Sequence, residues 1–259
     1  MTRALITGAT AGLGRRFAEE LAAQGYGVVL VARDEERLRD LAAELRRRFG
    51  VETEVLPADL ADREAVDRVA ERLTDPGHPV EVLVNNAGFG IEEGFLSSDI
   101  ADEQAIIDVM VTAVMRLCHA AAPAMVTRGS GRILNVSSIA GWLTGSTYSA
   151  AKAWVTVFTE GLAGDLAGSG VTATAVCPGF TRTEFHQRAE MDMSGVPDWM
   201  WLSADDVVRE ALEDSRKGKL ISVAGRQYEA LGLAVQYLPR PLVRRLMARR
   251  TSGSGSSDR

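Results

Sequence analysis

Residues 4–14 read Ala4-Leu5-Ile6-Thr7-Gly8-Ala9-Thr10-Ala11-Gly12-Leu13-Gly14. An apolar run ends at Gly8, and Phe17, Ala18, Leu21 and Ala22 follow at helical spacing. The first part reads as a buried strand, the second as the apolar face of a helix. Three glycines therefore sit in a strand-to-helix turn. Glycine lets backbone approach a ligand closely, and a helix N-terminus offers free N–H groups to a phosphate. The spacing is G-x-x-x-G-x-G, not the G-x-G-x-x-G of the general dinucleotide fingerprint. A tight turn would need such glycines too, but the strand and helix on either side favour dinucleotide binding.

Downstream, Gly27–Ala32 is a second all-apolar strand ending at Arg33. At this place an acidic side chain would bond a ribose 2′-OH, whereas an arginine suits a 2′-phosphate. Arg33 thus points to NADP(H) rather than NAD(H). Arg37, one turn into the next helix, adds to that pocket or is simply an exposed helix arginine. Asp34 caps this helix, whose buried face is Leu38, Leu41, Leu45 and Phe49. Residues 51–56 alternate as a third strand, and Asp59, just beyond it, lies where an adenine ring would rest or caps the next helix. Val66, Val69 and Leu73 mark that helix; 80–84 is a fourth strand running into Asn85-Asn86-Ala87-Gly88. Alternating strands and helices of these lengths mean repeated βαβ units around a parallel sheet.

From Asp99 to about Arg128 the pattern is one long helix, with Ile106, Met110, Ala113, Leu117 and Ala121 on its apolar face. Strand five, 131–136, is followed by Ser137-Ser138, at the sheet end where ligands sit in open parallel sheets. Tyr148 and Lys152 come next, four apart and so on one face of a helix. A cationic lysine beside a phenol stabilises the phenolate and lowers the tyrosine pKa. A tyrosine so tuned exchanges protons with a carbonyl or alcohol oxygen. Strand six, 171–176, ends in Cys177-Pro178-Gly179-Phe180-Thr181-Arg182-Thr183. Residues 184–202 are irregular and rich in Met and Trp, which fits either a lid over an apolar substrate or an excursion packed on its own core. Ser203-Ala204-Asp205-Asp206 reads as a capping box, and 219–223 as a last strand.

The chain reads as one domain over residues 1–250, with a Gly/Ser-rich disordered tail at 251–259. In 242–250, an apolar stripe of Leu242, Val243, Leu246 and Met247 runs beside four arginines. It could lie on an anionic membrane surface, but packing on the body or a partner subunit is the favoured reading. Of 259 residues, 29 are basic and 35 acidic, a net charge of −6, which argues against a nucleic-acid binder. The two cysteines, Cys118 and Cys177, form no metal-ligand spacing and read as small buried hydrophobes, so no metal is expected. With no cleavable leader and no membrane-length apolar run, the expected location is cytoplasmic.

Thr7-Gly8-x-x-x-Gly12-x-Gly14, Asp59, Asn85-Asn86-Ala87-Gly88, Ser138, Tyr148-x-x-x-Lys152 and Pro178-Gly179-x-x-x-Thr183, in this order, resemble the compact branch of the short-chain dehydrogenase/reductase family. The resemblance implies a Rossmann-like doubly wound α/β fold, about seven parallel strands with helices on both faces. It implies an NADP(H)-dependent oxidoreductase interconverting a carbonyl and an alcohol. Tyr148 would be the acid in reduction and the base in oxidation. Lys152 would lower its pKa and bond the nicotinamide ribose, and Ser138 would hold the substrate oxygen. Gly8, Gly12 and Gly14 would take the pyrophosphate, with Thr10 and Leu13 in the same cofactor loop. Asp59 and Asn86 would lie along the adenosine half, with Leu60, Ala87 and Gly88 also at cofactor-binding positions. Pro178 and Gly179, the backbone of Phe180 and Thr181, and the Thr183 hydroxyl would line the nicotinamide half and phosphates. A homodimer or homotetramer and a small carbonyl or alcohol substrate are implied as partners. There are two departures from the family pattern. Met110 stands where the long helix usually carries an asparagine, which holds a kink and a proton-feeding water. The link from Ser138 to Tyr148 is also short. The first leaves a second expectation, an NADP(H)-binding regulatory or scaffold protein with weak turnover.

Overall fold

The computed structural model describes residues 2–91, 93–185, 193, 195–225, 227–230 and 232. Seven strands form one sheet: β1 (Arg3–Thr7), β2 (Gly27–Ala32), β3 (Thr53–Pro57), β4 (Val80–Asn85), β5 (Gly131–Val136), β6 (Val171–Val176) and β7 (Ile221–Ser222). Their order is β3-β2-β1-β4-β5-β6-β7, and every pairing is parallel. The helices are α1 (Gly12–Ala23), α2 (Glu35–Phe49), α3 (Arg63–Leu73), α4 (Ile100–Ile107), α5 (Ala113–Arg128), α6 (Thr147–Asp165) and α7 (Ala204–Arg216).

The strands read as unbroken apolar runs because both faces are covered. Side chains alternate across a strand. Leu5, Val29 and Val31 accordingly join α3, α4, α5 and α6 in one core cluster. Ala4, Ile6, Val28 and Leu30 join α1, α2 and α7 in the other. The strand order reverses between β1 and β4, which opens a crevice at their carboxyl ends. Thr7 closes the floor of that crevice. Its Oγ1 accepts from the Asn86 and Ala87 backbone N–H groups at 2.9 and 3.0 Å. The Asn86 side-chain amide donates to Thr7 O at 2.9 Å.

Several local expectations hold in detail. Asp34 accepts from Arg37 N at the start of α2. Ser203 accepts from Asp206 N as the N-cap of α7, and its hydroxyl donates to the Asp206 carboxylate, so the cap is formed with the return bond made to the side chain rather than the backbone of Ser203. Both cysteines are buried and free. The last strand is shorter than expected, two residues rather than five. It is an edge strand paired only through Ala175 and Val176 of β6.

The helix expected over Asp99–Arg128 is continuous from Ile100 to Arg128, but Asp108–Thr112 forms a π turn between α4 and α5. A π turn inserts one residue without breaking the apolar stripe, so periodicity does not reveal it. This 29-residue helix is also long and apolar enough to span a membrane, which the run-by-run reading did not register. Half of its most apolar window is buried inside the protein, against α3 and α6. The positions read as membrane-binding or disordered, 242–250 and 251–259, lie outside the described residues.

Candidate active site

The glycine turn is built for a ligand. Gly8 and Gly12 have φ of 65° and 50°, a left-handed backbone that disfavours any side chain. Gly14 is the tightest: a Cβ there would lie 2.2 Å from Gly8 O and 2.4 Å from Asn86 Nδ2. The turn is therefore bare backbone at the N-terminus of α1, with Thr10 and Leu13 partly exposed in it. That cradle fits a nucleotide pyrophosphate. Asn86 serves the turn, since its amide is tied to Thr7 O and reaches Gly8 O at 3.4 Å. Asp59 is exposed and accepts from Ala61 N, next to buried Leu60.

At the adjoining strand ends, Ser138, Tyr148 and Lys152 converge. Ser138 follows β5 and caps a 3₁₀ turn, Ile139–Trp142, by accepting from Ala140 N. Its hydroxyl lies near enough to the Tyr148 phenol to favour the phenolate. Lys152 is 4% exposed; its Nζ stands 5.6 Å from the Tyr148 ring centroid and donates to Val136 O at 2.7 Å. Ser137, the other serine, is buried and donates to Lys152 O, which bonds it locally as its position suggested.

Electrostatics in this site run against the simple expectation of a lowered tyrosine. Burial pushes the Tyr148 phenol up to about 12, and the nearby Ser138 hydroxyl only partly offsets it. Burial also pushes the Lys152 ammonium down, to about 8. Its hydrogen bond is spent on a carbonyl, and it lies over the ring rather than at the phenol oxygen. Desolvation thus outweighs the ion–phenol attraction.

A stability effect follows. Unfolded Lys152 binds its proton up to about pH 10.5, folded Lys152 only up to about 8. Below pH 8 the fold carries the full cost of a buried charge, and between 8 and 10.5 that cost disappears as pH rises. Lys152→Met is expected to stabilise the protein by about 1–3 kcal/mol at pH 7, with the gain shrinking toward pH 10.5. Urea unfolding at pH 7 and pH 10 checks it.

Two residues around Lys152 shape its surroundings. The side of Gly88 where a Cβ would stand is 3.1 Å from Met110 Sδ and 3.5 Å from Lys152 Nζ. Met110 sits in the π turn and is 1% exposed, and its thioether flanks the same side of Gly88 as the ammonium. Thioether sulfur has no proton to donate. The π turn persists without an asparagine, so it does not depend on that side chain here. Glu103, one turn before, is a group the sequence reading missed. It is 6% exposed, accepts from Ser98 Oγ at 2.6 Å, and is held low in pKa by Ser98 and by Thr147 beside Tyr148. Its signal was present: a glutamate on the same helical stripe as Ile106 and Met110.

The remaining positions divide. Arg33 is exposed at the end of β2, and Arg37 stands 3.7 Å from the Glu184 carboxylate. Past β6, Phe180 N donates to Tyr228 Oη, and Thr181 Oγ1 donates to Gly179 O beside buried Pro178. Gly179 is needed, because a Cβ there would fall 2.2 Å from the Tyr228 ring. Thr183 packs on Gly12. Of the segment read as a lid, Met200 and Leu202 join a small core of Ile139, Ala175, Cys177, Val223 and Tyr228. Trp201 lies against Phe180, and Trp199 is 67% exposed. Those described residues favour packing over a free lid; residues 186–192 and 194 lie outside the description.

A parallel sheet with a glycine turn at its switch point, and a Ser–Tyr–Lys set at the next strand end, defines a Rossmann-type oxidoreductase. The family model for short chain dehydrogenase matches residues 2–194. Sulfoacetaldehyde reductase 2 of Chromohalobacter salexigens is 42% identical over 186 residues, covering 70% of this chain and 73% of the relative. A short-chain dehydrogenase from Sphingobium yanoikuyae, solved in complex with NADPH, superposes with a TM-score of 0.83 at 36% identity, covering 91% of this chain and 94% of that one. The bulky-bulky ketone specific alcohol dehydrogenase from Comamonas testosteroni gives a TM-score of 0.79 at 29% identity, with coverages of 91% and 92%. The chain belongs to the short-chain dehydrogenase/reductase family.

Proposed function

We propose that this protein is an NADP(H)-dependent oxidoreductase that interconverts a carbonyl and a secondary alcohol on an apolar or moderately bulky substrate. The observation that carries the reading is the placement of Lys152 over the Tyr148 ring, with Ser138 at the adjoining strand end, next to a bare glycine cradle. The nicotinamide, when bound, supplies the hydride chemistry. The chain's own residues manage the oxygen. As negative charge grows there, the Ser138 and Tyr148 hydroxyls donate to it, and Tyr148 gives up its proton. Lys152 offers positive charge to the phenolate that remains.

Arg33 and Arg37 support the 2′-phosphate form of the cofactor, as does the NADPH held by the Sphingobium relative. The Phe185 ring, 5.8 Å from Tyr148, and the ketone preference named for the Comamonas relative support an apolar substrate. Assembly as a homo-oligomer is part of the proposal, supported by exposed Met115 and Val157 on α5 and α6. The test is NADPH oxidation with a panel of ketones and aldehydes; no substrate-dependent consumption across the panel would overturn the reading.

A second reading, an NADP(H)-binding regulatory or scaffold protein with weak turnover, is favoured by one observation: the buried Met110 thioether, which flanks the same side of Gly88 as Lys152. Met110→Asn separates the two. If the thioether starves the site of protons, the variant gains at least about tenfold in kcat, within the usual span of proton-transfer effects. A wild type already as active as the variant removes the second reading.

A further inference from the structure

Three consecutive residues after β6 lie along the length of the cofactor groove. Thr183 sits on the open side of Gly12, 3.3 Å from where a Cβ would stand. Phe185 faces the Tyr148 ring at 5.8 Å and donates its N–H to Thr183 Oγ1. Between them, Glu184 Oε2 lies 3.7 Å from Arg37 Nη2, at the adenosine end. Arg37 is fixed at its backbone by the Asp34 cap. A carboxylate supplied by the segment past β6 therefore stands where a 2′-phosphate would meet this arginine.

Resting on the NADP(H) reading, we propose that Glu184 is a specificity-determining residue that competes with the 2′-phosphate for Arg37. A phosphate carrying −1.5 to −2 charges and three acceptor oxygens outbids one carboxylate. Binding then leaves Glu184 beside a like charge, which weakens retention of the phosphorylated cofactor. NADH, with no 2′-phosphate, leaves the Arg37–Glu184 pair in place. Both side chains are about half exposed, at 46% and 48%, so the competition is modest and screened by salt.

The experiment is a set of equilibrium titrations followed by cofactor fluorescence, with adenosine 2′,5′-bisphosphate as a non-reactive probe measured by calorimetry. Glu184→Gln is expected to tighten NADPH and the bisphosphate about two- to fivefold, the span of an exposed ion pair, and to leave NADH unchanged. The gain shrinks at high salt and is absent in an Arg37→Ala background, where NADPH binds more weakly. Unchanged NADPH affinity in Glu184→Gln overturns the proposal, as does equal tightening of NADH, which would mean only a loosened segment. Unchanged NADPH affinity in Arg37→Ala overturns it too, while leaving the cofactor reading intact through Arg33. A wild type that binds neither nicotinamide overturns both.

Discussion

Replacing Tyr148 by Phe is expected to lower kcat/KM for carbonyl reduction by roughly 10²–10⁴-fold, the span of a lost general acid. That corresponds to about 3–5 kcal/mol of transition-state stabilisation. NADPH affinity, followed by fluorescence, should stay essentially unchanged. The reason is local. Phe keeps the ring, and with it the Phe185 contact and the packing over Lys152. Only the phenol hydroxyl is removed. Steady-state kinetics at saturating NADPH reads the result. Turnover that survived in Tyr148→Phe would mean that another group delivers the proton.

The second large effect is expected at Gly14→Ala. A methyl there meets two backbone atoms, Gly8 O at 2.2 Å and Gly8 C at 2.8 Å, as well as the Asn86 amide at 2.4 Å. Backbone cannot swing aside as a side-chain end can, so the turn itself must open. Overpacking of this kind costs about 1–3 kcal/mol, or roughly 2–12 °C in Tm for a chain of this size. The more telling readout is the loss of the Tm increase that NADPH gives the wild type. Gly12→Ala is the internal comparison. Its methyl meets only the Thr183 side chain at 3.3 Å, so its cost comes from the positive φ and is smaller. A normal NADPH-induced shift in Gly14→Ala would show that the turn does not carry the pyrophosphate.

Much of this was legible in the chain. Seven strands, their parallel arrangement and the pairing of Tyr148 with Lys152 on one helix face follow from apolar runs and short-range spacing, which are properties of neighbours in sequence, while Ser138 was added only by the family resemblance. What escaped depends on contacts between distant residues or on desolvation. The π turn leaves the apolar stripe of the long helix unbroken, so no period betrays it. The Glu184–Arg37 pair joins segments separated by the whole middle of the chain. The Tyr148 shift had the opposite sign because the sequence shows a lysine nearby but not how deeply both groups are buried. Glu103 was visible as an oddity on an apolar stripe, yet nothing in the pattern shows that it is buried and held by Ser98 from the loop before its helix.

The Thr7 staple has a meaning for preorganisation. One wall of the groove, Thr7 with Asn86 and Ala87, is fixed by three hydrogen bonds of 2.9–3.0 Å within the protein itself. A ligand that uses this wall meets backbone already ordered, so little of its binding energy is lost in arranging it.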